Sequence, residues 1–143
     1  MSSPTPEFQV TLDCADPHAP ARWWARLLGY EVHDAHEFVT ELLEGGSLDA
    51  SDVVEVEGRR AFRDGAGAFD PAGTRPRLYF QLVPEVKAAK NRLHLDVRTL
   101  TKDLEAEVER VASLGASLVE FNHQGAHRWA VMRDPEGNEF CLT

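Results

Sequence analysis

Cysteine is scarce in this chain. Cys14 and Cys141 are the two present among 143 residues. That is too few for a disulfide framework, and their spacing is not that of a zinc motif. A reducing compartment, the cytoplasm, is the expected setting. Positive charge is also short: 15 Lys and Arg stand against 24 Asp and Glu, a formal net charge of -9. Nucleic acids and anionic membranes are held through basic patches, so neither is an expected partner. No apolar run approaches membrane-spanning length. The opening "MSSPTPEF" has no charged region followed by an apolar run, which predicts no signal peptide. Several chemical signatures are missing as well. There is no phosphate loop, no dinucleotide glycine fingerprint and no Gly-x-Ser-x-Gly elbow. "DPEGNEF" is too short and wrongly spaced for a calcium loop.

What is present is one pattern written twice, at a length that suits a single compact domain. "FQVTLDC", residues 8–14, alternates: Phe8, Val10, Leu12 and Cys14 on one face, Gln9, Thr11 and Asp13 on the other, as in a half-buried strand. "ADPHAPARWWARLLGY" then predicts a helix beginning at Asp16 or His18. Pro17 or Pro20 fits its first turn, and Gly29 closes it in a left-handed conformation. The second half repeats the order. "RLHLDV", 92–97, is a strand with Leu93, Leu95 and Val97 on one face and Arg92, His94 and Asp96 on the other. Thr101 is placed to cap the helix "KDLEAEVERVASL", whose apolar stripe is Leu104, Val108 and Val111, with Gly115 closing it. Strands follow near 117–121 and 127–133, and "NHQGAH" reads as a loop.

Both halves end alike. "DPAG" precedes "RLYFQLV", and "DPEG" precedes "NEFCLT". Pro sets φ at the second turn position and Gly accepts positive φ, so each half closes in a hairpin. The first half carries an insertion, with a short helix near 36–46 and strand and loop after it. In register, Gln9 matches Arg92, Thr11 matches His94, Asp13 matches Asp96, and Gln81 matches Cys141. The expected architecture is α+β: two βαβββ modules, about 6–84 and about 91–143, within one domain. In each module the helix covers the apolar strand face.

With "LDCADPHAPARWWARLLGYEV", "LYFQLVPEVKAAKNRLHLDV" and "LGA" followed by "DPEGNEFCL" in this order, the chain resembles the glyoxalase-like branch of the vicinal-oxygen-chelate superfamily. The resemblance implies a curled mixed or antiparallel sheet forming a cup, and a homodimer. Superfamily metalloenzymes place ligands on the first and last strands of each module, which here are Gln9, Gln81, Arg92 and Cys141. Arg92 has no lone pair to offer a metal. The resemblance therefore implies a degraded metal site with no cofactor. A shifted divalent site using His94, Asp96 and Cys141 or Asp13 stands as the alternative.

Residue by residue, Arg92 is either an anion clamp or a salt-bridge partner of Asp96 or Asp13. His94 and Asp96 are either a general base with its carboxylate or a polar network joining the modules. Cys141 reads as a small pocket residue rather than a nucleophile. Lys87 and Lys90 either line the cup mouth or belong to a solvated linker. Trp23 and Trp24 pack the first helix. Trp129, which alternates with His127 and Val131, is either a stacking wall or core. The expected function is binding of a small organic ligand, anionic or polar-aromatic, with lyase- or isomerase-type chemistry at His94 and Asp96. Gln9, Thr11, Asp13, Gln81, Arg92, Trp129 and Cys141 are expected to contact the ligand. The alternatives are a divalent-metal lyase or dioxygenase and a non-catalytic drug-binding resistance protein.

Overall fold

The computed structural model describes residues 2–143. They form two compact units, one ending at Pro84 and the next beginning at Glu85. In the first, β1 (Val10–Cys14) leads through α1 (His18–Leu28) to β2 (Glu31–Val32). After an insertion come β5 (Gly65–Phe69) and β6 (Leu78–Leu82). The inserted part holds α2 (His36–Glu44) and the hairpin β3 (Val53–Val56) and β4 (Arg59–Phe62), which pair with each other as a separate ribbon. The second unit runs β7 (Asp96–Val97), α3 (Leu104–Ser113), β8 (Ser117–Gln124), β9 (His127–Arg133) and β10 (Glu139–Leu142).

The two sheets share one topology. Their orders are β1-β6-β5-β2 and β7-β10-β9-β8. In each, the first strand pairs parallel to the last and the other contacts are antiparallel. Register repeats too: Asp13 pairs with Gln81, and Asp96 pairs with Cys141. The chain is α+β with mixed sheets, as the duplicated pattern predicts.

Each helix buries one face against its own sheet. In the first unit Trp24 and Phe80 are fully buried, and Trp23 meets Trp24 edge-on with centroids 5.1 Å apart. Gly65 and Gly67 on β5 leave the room that Tyr79 and Arg77 occupy, since a Cβ at either would collide with those side chains. In the second unit the apolar core includes Leu104, Val108 and Val111 from α3, and Ala130, Met132, Phe140 and Leu142 from the sheet. Burying residues of this size stabilises the fold by about 1.5–3 kcal/mol each. No helix among the described residues is long and apolar enough to cross a membrane.

Local differences from expectation have local causes. α1 begins at His18, with Asp16 accepting its N–H, and Gly29 closes the helix at φ 69°. α3 is capped by Asp103, which accepts the Ala106 N–H at 3.1 Å. Thr101 lies two residues upstream, accepting from the Asp103 N–H. The expected strand 92–97 is reduced to Asp96–Val97, and Leu93 is 88% exposed instead of covered. β10 begins only at Glu139, and Cys141 donates to Leu95, so residues before Leu95 have no strand to pair with. Phe8 is exposed for the same reason: β6 starts at Leu78, and pairing begins at Val10. Residues 122–124, expected in a loop, extend β8, and the turn is confined to Gly125 and Ala126.

Candidate functional site

The alternation that buries Ala130 and Met132 under α3 turns Trp129 and Val131 to the opposite face of the second sheet. That face lines a cavity of about 900 Å³ formed wholly by residues of the second unit. Its walls come from all four strands and from the segment 87–90 that leads into the module. A pairing irregularity between Leu118 and Glu120 lets both Val119 and Glu120 line it.

One wall is flat and aromatic. The His127 and Trp129 rings stack with centroids 5.5 Å apart at 30°. His127 Nε2 is 3.2 Å from the hydroxyl of Thr143. Across the sheet lies a polar corner. His94 Nδ1 is 3.1 Å from Asp96 Oδ1, and Asp96 is the register partner of Cys141. Cys141 is 8% exposed. Burial pushes its thiol pKa up, and the Asp96 charge and a hydrogen bond to that carboxylate push it further. The residue is thus a protonated donor to Asp96, not a poised thiolate. The His94, Asp96 and Cys141 donor atoms all lie within 4.8 Å of one another. Among the described residues this is the one cluster of three or more such donors placed so closely.

The third feature was missed in the sequence. Glu139 is buried at the start of β10. It accepts the Asn91 N–H at 3.0 Å and the Lys87 ammonium at 3.0 Å, with Arg133 at 3.9 Å. Burial alone would raise its pKa, but these donors outweigh burial and bring it down to about 2. "VPEVKAAKNR" is therefore tied to the sheet: Lys87 and Lys90 line the cavity, and Asn91 also donates to Asn138 at 2.8 Å. The signal available was a Glu at an inward strand position with Lys and Asn upstream, which no single motif flags.

His94, Asp96, Trp129 and Cys141, all picked from the sequence, line this cavity together. Arg92 belongs to the same unit but is exposed and outside the lining. Gln9, Thr11, Asp13 and Gln81 lie in the first unit. Thr11, Asp13 and Gln81 are exposed on the β1–β6 face, and Gln9 accepts from Arg77 at 2.9 Å.

The comparisons place this architecture. The chain resembles the bleomycin-binding protein of Streptomyces verticillus, solved with copper(II)-bleomycin, at 18% identity and TM-score 0.55, covering 99% of this chain and 98% of that one. It resembles the fosfomycin resistance protein FosX of Mesorhizobium loti at 14% identity and TM-score 0.61, covering 98% and 91%. A mutant FosX of Listeria monocytogenes, complexed with Mn(II) and 1S,2S-dihydroxypropylphosphonic acid, matches at 12% identity and TM-score 0.59, covering 98% and 90%. These likenesses define a glyoxalase/bleomycin-resistance/dioxygenase fold. The glyoxalase-like domain profile matches residues 9–143, and the chain belongs to that family. No curated protein matches.

The Mn(II) of that neighbour raises a test of fit. The positions that the resemblance assigns to metal ligands carry Gln9, Gln81, Arg92 and Cys141. Mn(II) favours carboxylate, carbonyl and water oxygens. A guanidinium offers no donor electrons, and a thiol is the wrong softness. That set does not fit a hard cation.

Proposed function

We propose that the protein binds a small organic ligand in the cavity of its second module, the ligand's flat part against Trp129 and His127 and its polar group at His94 and Asp96. The observation that carries this reading is the convergence, in one cavity of about 900 Å³, of a stacked aromatic wall and an imidazole–carboxylate pair at 3.1 Å. The cavity is within the usual size range for a small-molecule site. Its mixed charges, with Lys87, Lys90 and Arg133 beside Asp96, Glu120, Glu136 and Glu139, favour a ligand with a strongly polar end over a purely apolar one. Neighbours solved with copper(II)-bleomycin and with a dihydroxyphosphonate support ligand binding by this fold.

The chemistry at the corner is proton transfer. Asp96 orients the His94 ring through Nδ1, which leaves Nε2 to take a proton from, or return one to, a carbon or oxygen of the bound ligand. Lyase and isomerase steps use proton transfer of this kind. Cys141, as a donor to Asp96, helps hold that carboxylate in place. A cytoplasmic homodimer completes the reading. Cys14 and Cys141 are buried and not in a disulfide, which supports a reducing setting.

The test is a thermal-shift screen of chelator-treated protein against small aromatic acids, aliphatic acids and phosphonates, dihydroxypropylphosphonic acid included. A hit should raise the melting temperature of wild type and lose most of that shift in Trp129→Ala and in His94→Ala. A hit unaffected by both substitutions places the ligand elsewhere and defeats the reading. Chromatography of the incubated hit then separates turnover from sequestration.

A further inference from the structure

The polar corner also has the composition of a soft-cation site. We infer that His94, Asp96 and Cys141 bind one zinc-type divalent ion, with an open coordination position facing the cavity. The inference rests on the proposed cavity as the ligand site and names what the corner offers the ligand's polar group.

Placement comes first. Asp96 and Cys141 are paired residues on neighbouring strands, and His94 lies two residues before Asp96 on the same side. The donor atoms lie within 4.8 Å of one another, with His94 and Asp96 at 3.1 Å. Around a zinc ion with bonds of about 2.0–2.3 Å, tetrahedral donors lie roughly 3.3–3.8 Å apart. Side-chain rotations of about an ångström therefore close the site, with no change in strand pairing.

Donor chemistry selects the ion. One imidazole, one carboxylate and one thiolate form a mixed nitrogen, oxygen and sulfur set. Thiolate selects zinc over manganese, magnesium or calcium. Three protein ligands with a fourth position open is the arrangement of a site that binds a substrate group, whereas structural zinc sites are closed by four. Lys90, which also lines the cavity, opposes the incoming charge; Glu120 and Glu136 offset it. This set differs from the positions the superfamily resemblance assigns to metal: two of the three ligands, His94 just before β7 and Asp96 on it, lie past Arg92 in the chain. On binding, the thiol proton leaves to solvent and sulfur bonds the ion. His94 and Asp96 then act as ligands, and the ligand's oxygen takes the open position.

The experiment uses tag-free protein stripped with chelator, titrated with Zn(II), Mn(II) and Co(II) alone. One Zn(II) per chain should be retained through dialysis, with Mn(II) at least about 100-fold weaker. Co(II) should give a sulfur-to-metal charge-transfer band that disappears in Cys141→Ser. His94→Ala, at an exposed position that leaves the core untouched, should weaken Zn(II) by about 100-fold or more. Sub-stoichiometric Zn(II) after dialysis, no charge-transfer band, or unchanged Zn(II) affinity in His94→Ala overturns the inference. Because ligand screening is run on chelator-treated protein, ligand binding without metal binding overturns this inference alone. Metal binding without any ligand overturns only the reading it rests on.

Discussion

Cys141 and Glu139 sit two residues apart on one strand and line one cavity, yet their proton chemistry is opposite. Cys141 is desolvated beside a carboxylate, so it keeps its proton. Glu139 is desolvated beside an ammonium and a backbone N–H, so it gives its proton up, with a pKa of about 2. The sign for stability follows from linkage. A carboxyl whose folded pKa lies below its unfolded value stabilises the fold fully above the unfolded value, about 4.3, and loses that contribution as pH falls toward about 2. Lys87→Ala removes one donor and should cost about 2 kcal/mol near neutrality, in urea midpoints. The deficit should shrink as pH falls through that window; a deficit independent of pH would mean that Lys87 acts by packing alone. Trp129→Ala should weaken a bound ligand by about 10-fold in calorimetry. At this scale legibility was uneven. Alternation put His127, Trp129 and Val131 on one face, and the repeat singled out His94 as unmatched. Nothing local told whether Arg92 would reach the cavity, because strand length there is set by where β10 begins.

Turns and caps carry the repeat at the level of elements. Both Asp-Pro-x-Gly segments place a positive-φ glycine fourth, Gly73 at 69° and Gly137 at 87°. The larger part of each turn is its buried aspartate. Asp134 accepts the Glu136 and Asn138 N–H groups, and Asp70 accepts those of Ala72, Thr74 and Arg75. The Arg75 guanidinium first, then these N–H groups, hold the Asp70 carboxyl well below the ordinary range. Pro and Gly made the turns readable in the sequence; the carboxylate's role was not, since it depends on burial. Gly137→Ala should cost about 1–2 kcal/mol from left-handed backbone strain, because its added Cβ meets only Lys87 at an ordinary 3.7 Å. Asp103→Ala should cost about 1 kcal/mol by loss of the α3 cap, while Thr101→Ala should cost less. Melting curves of the pair check this, and equal losses would reassign the cap.

For the whole molecule, duplication is the organising fact. Two sheets with one strand order were legible because period-two alternation, helix stripes and turn signals recur in the same sequence. The inserted α2 and its hairpin interrupt only the first copy, between its second and third strands. The paired frame carries different side chains: Thr11 where the second module has His94, Gln81 where it has Cys141. The frame is shared, and the proposed ligand chemistry is concentrated in the second copy. The most direct measurement of that claim is an amide-resolved NMR titration of the uniformly labelled protein with a thermal-shift hit. Perturbations should concentrate at His94, Asp96, Trp129, Cys141 and Thr143. Perturbations confined to residues 10–84, with the second module silent, would contradict it.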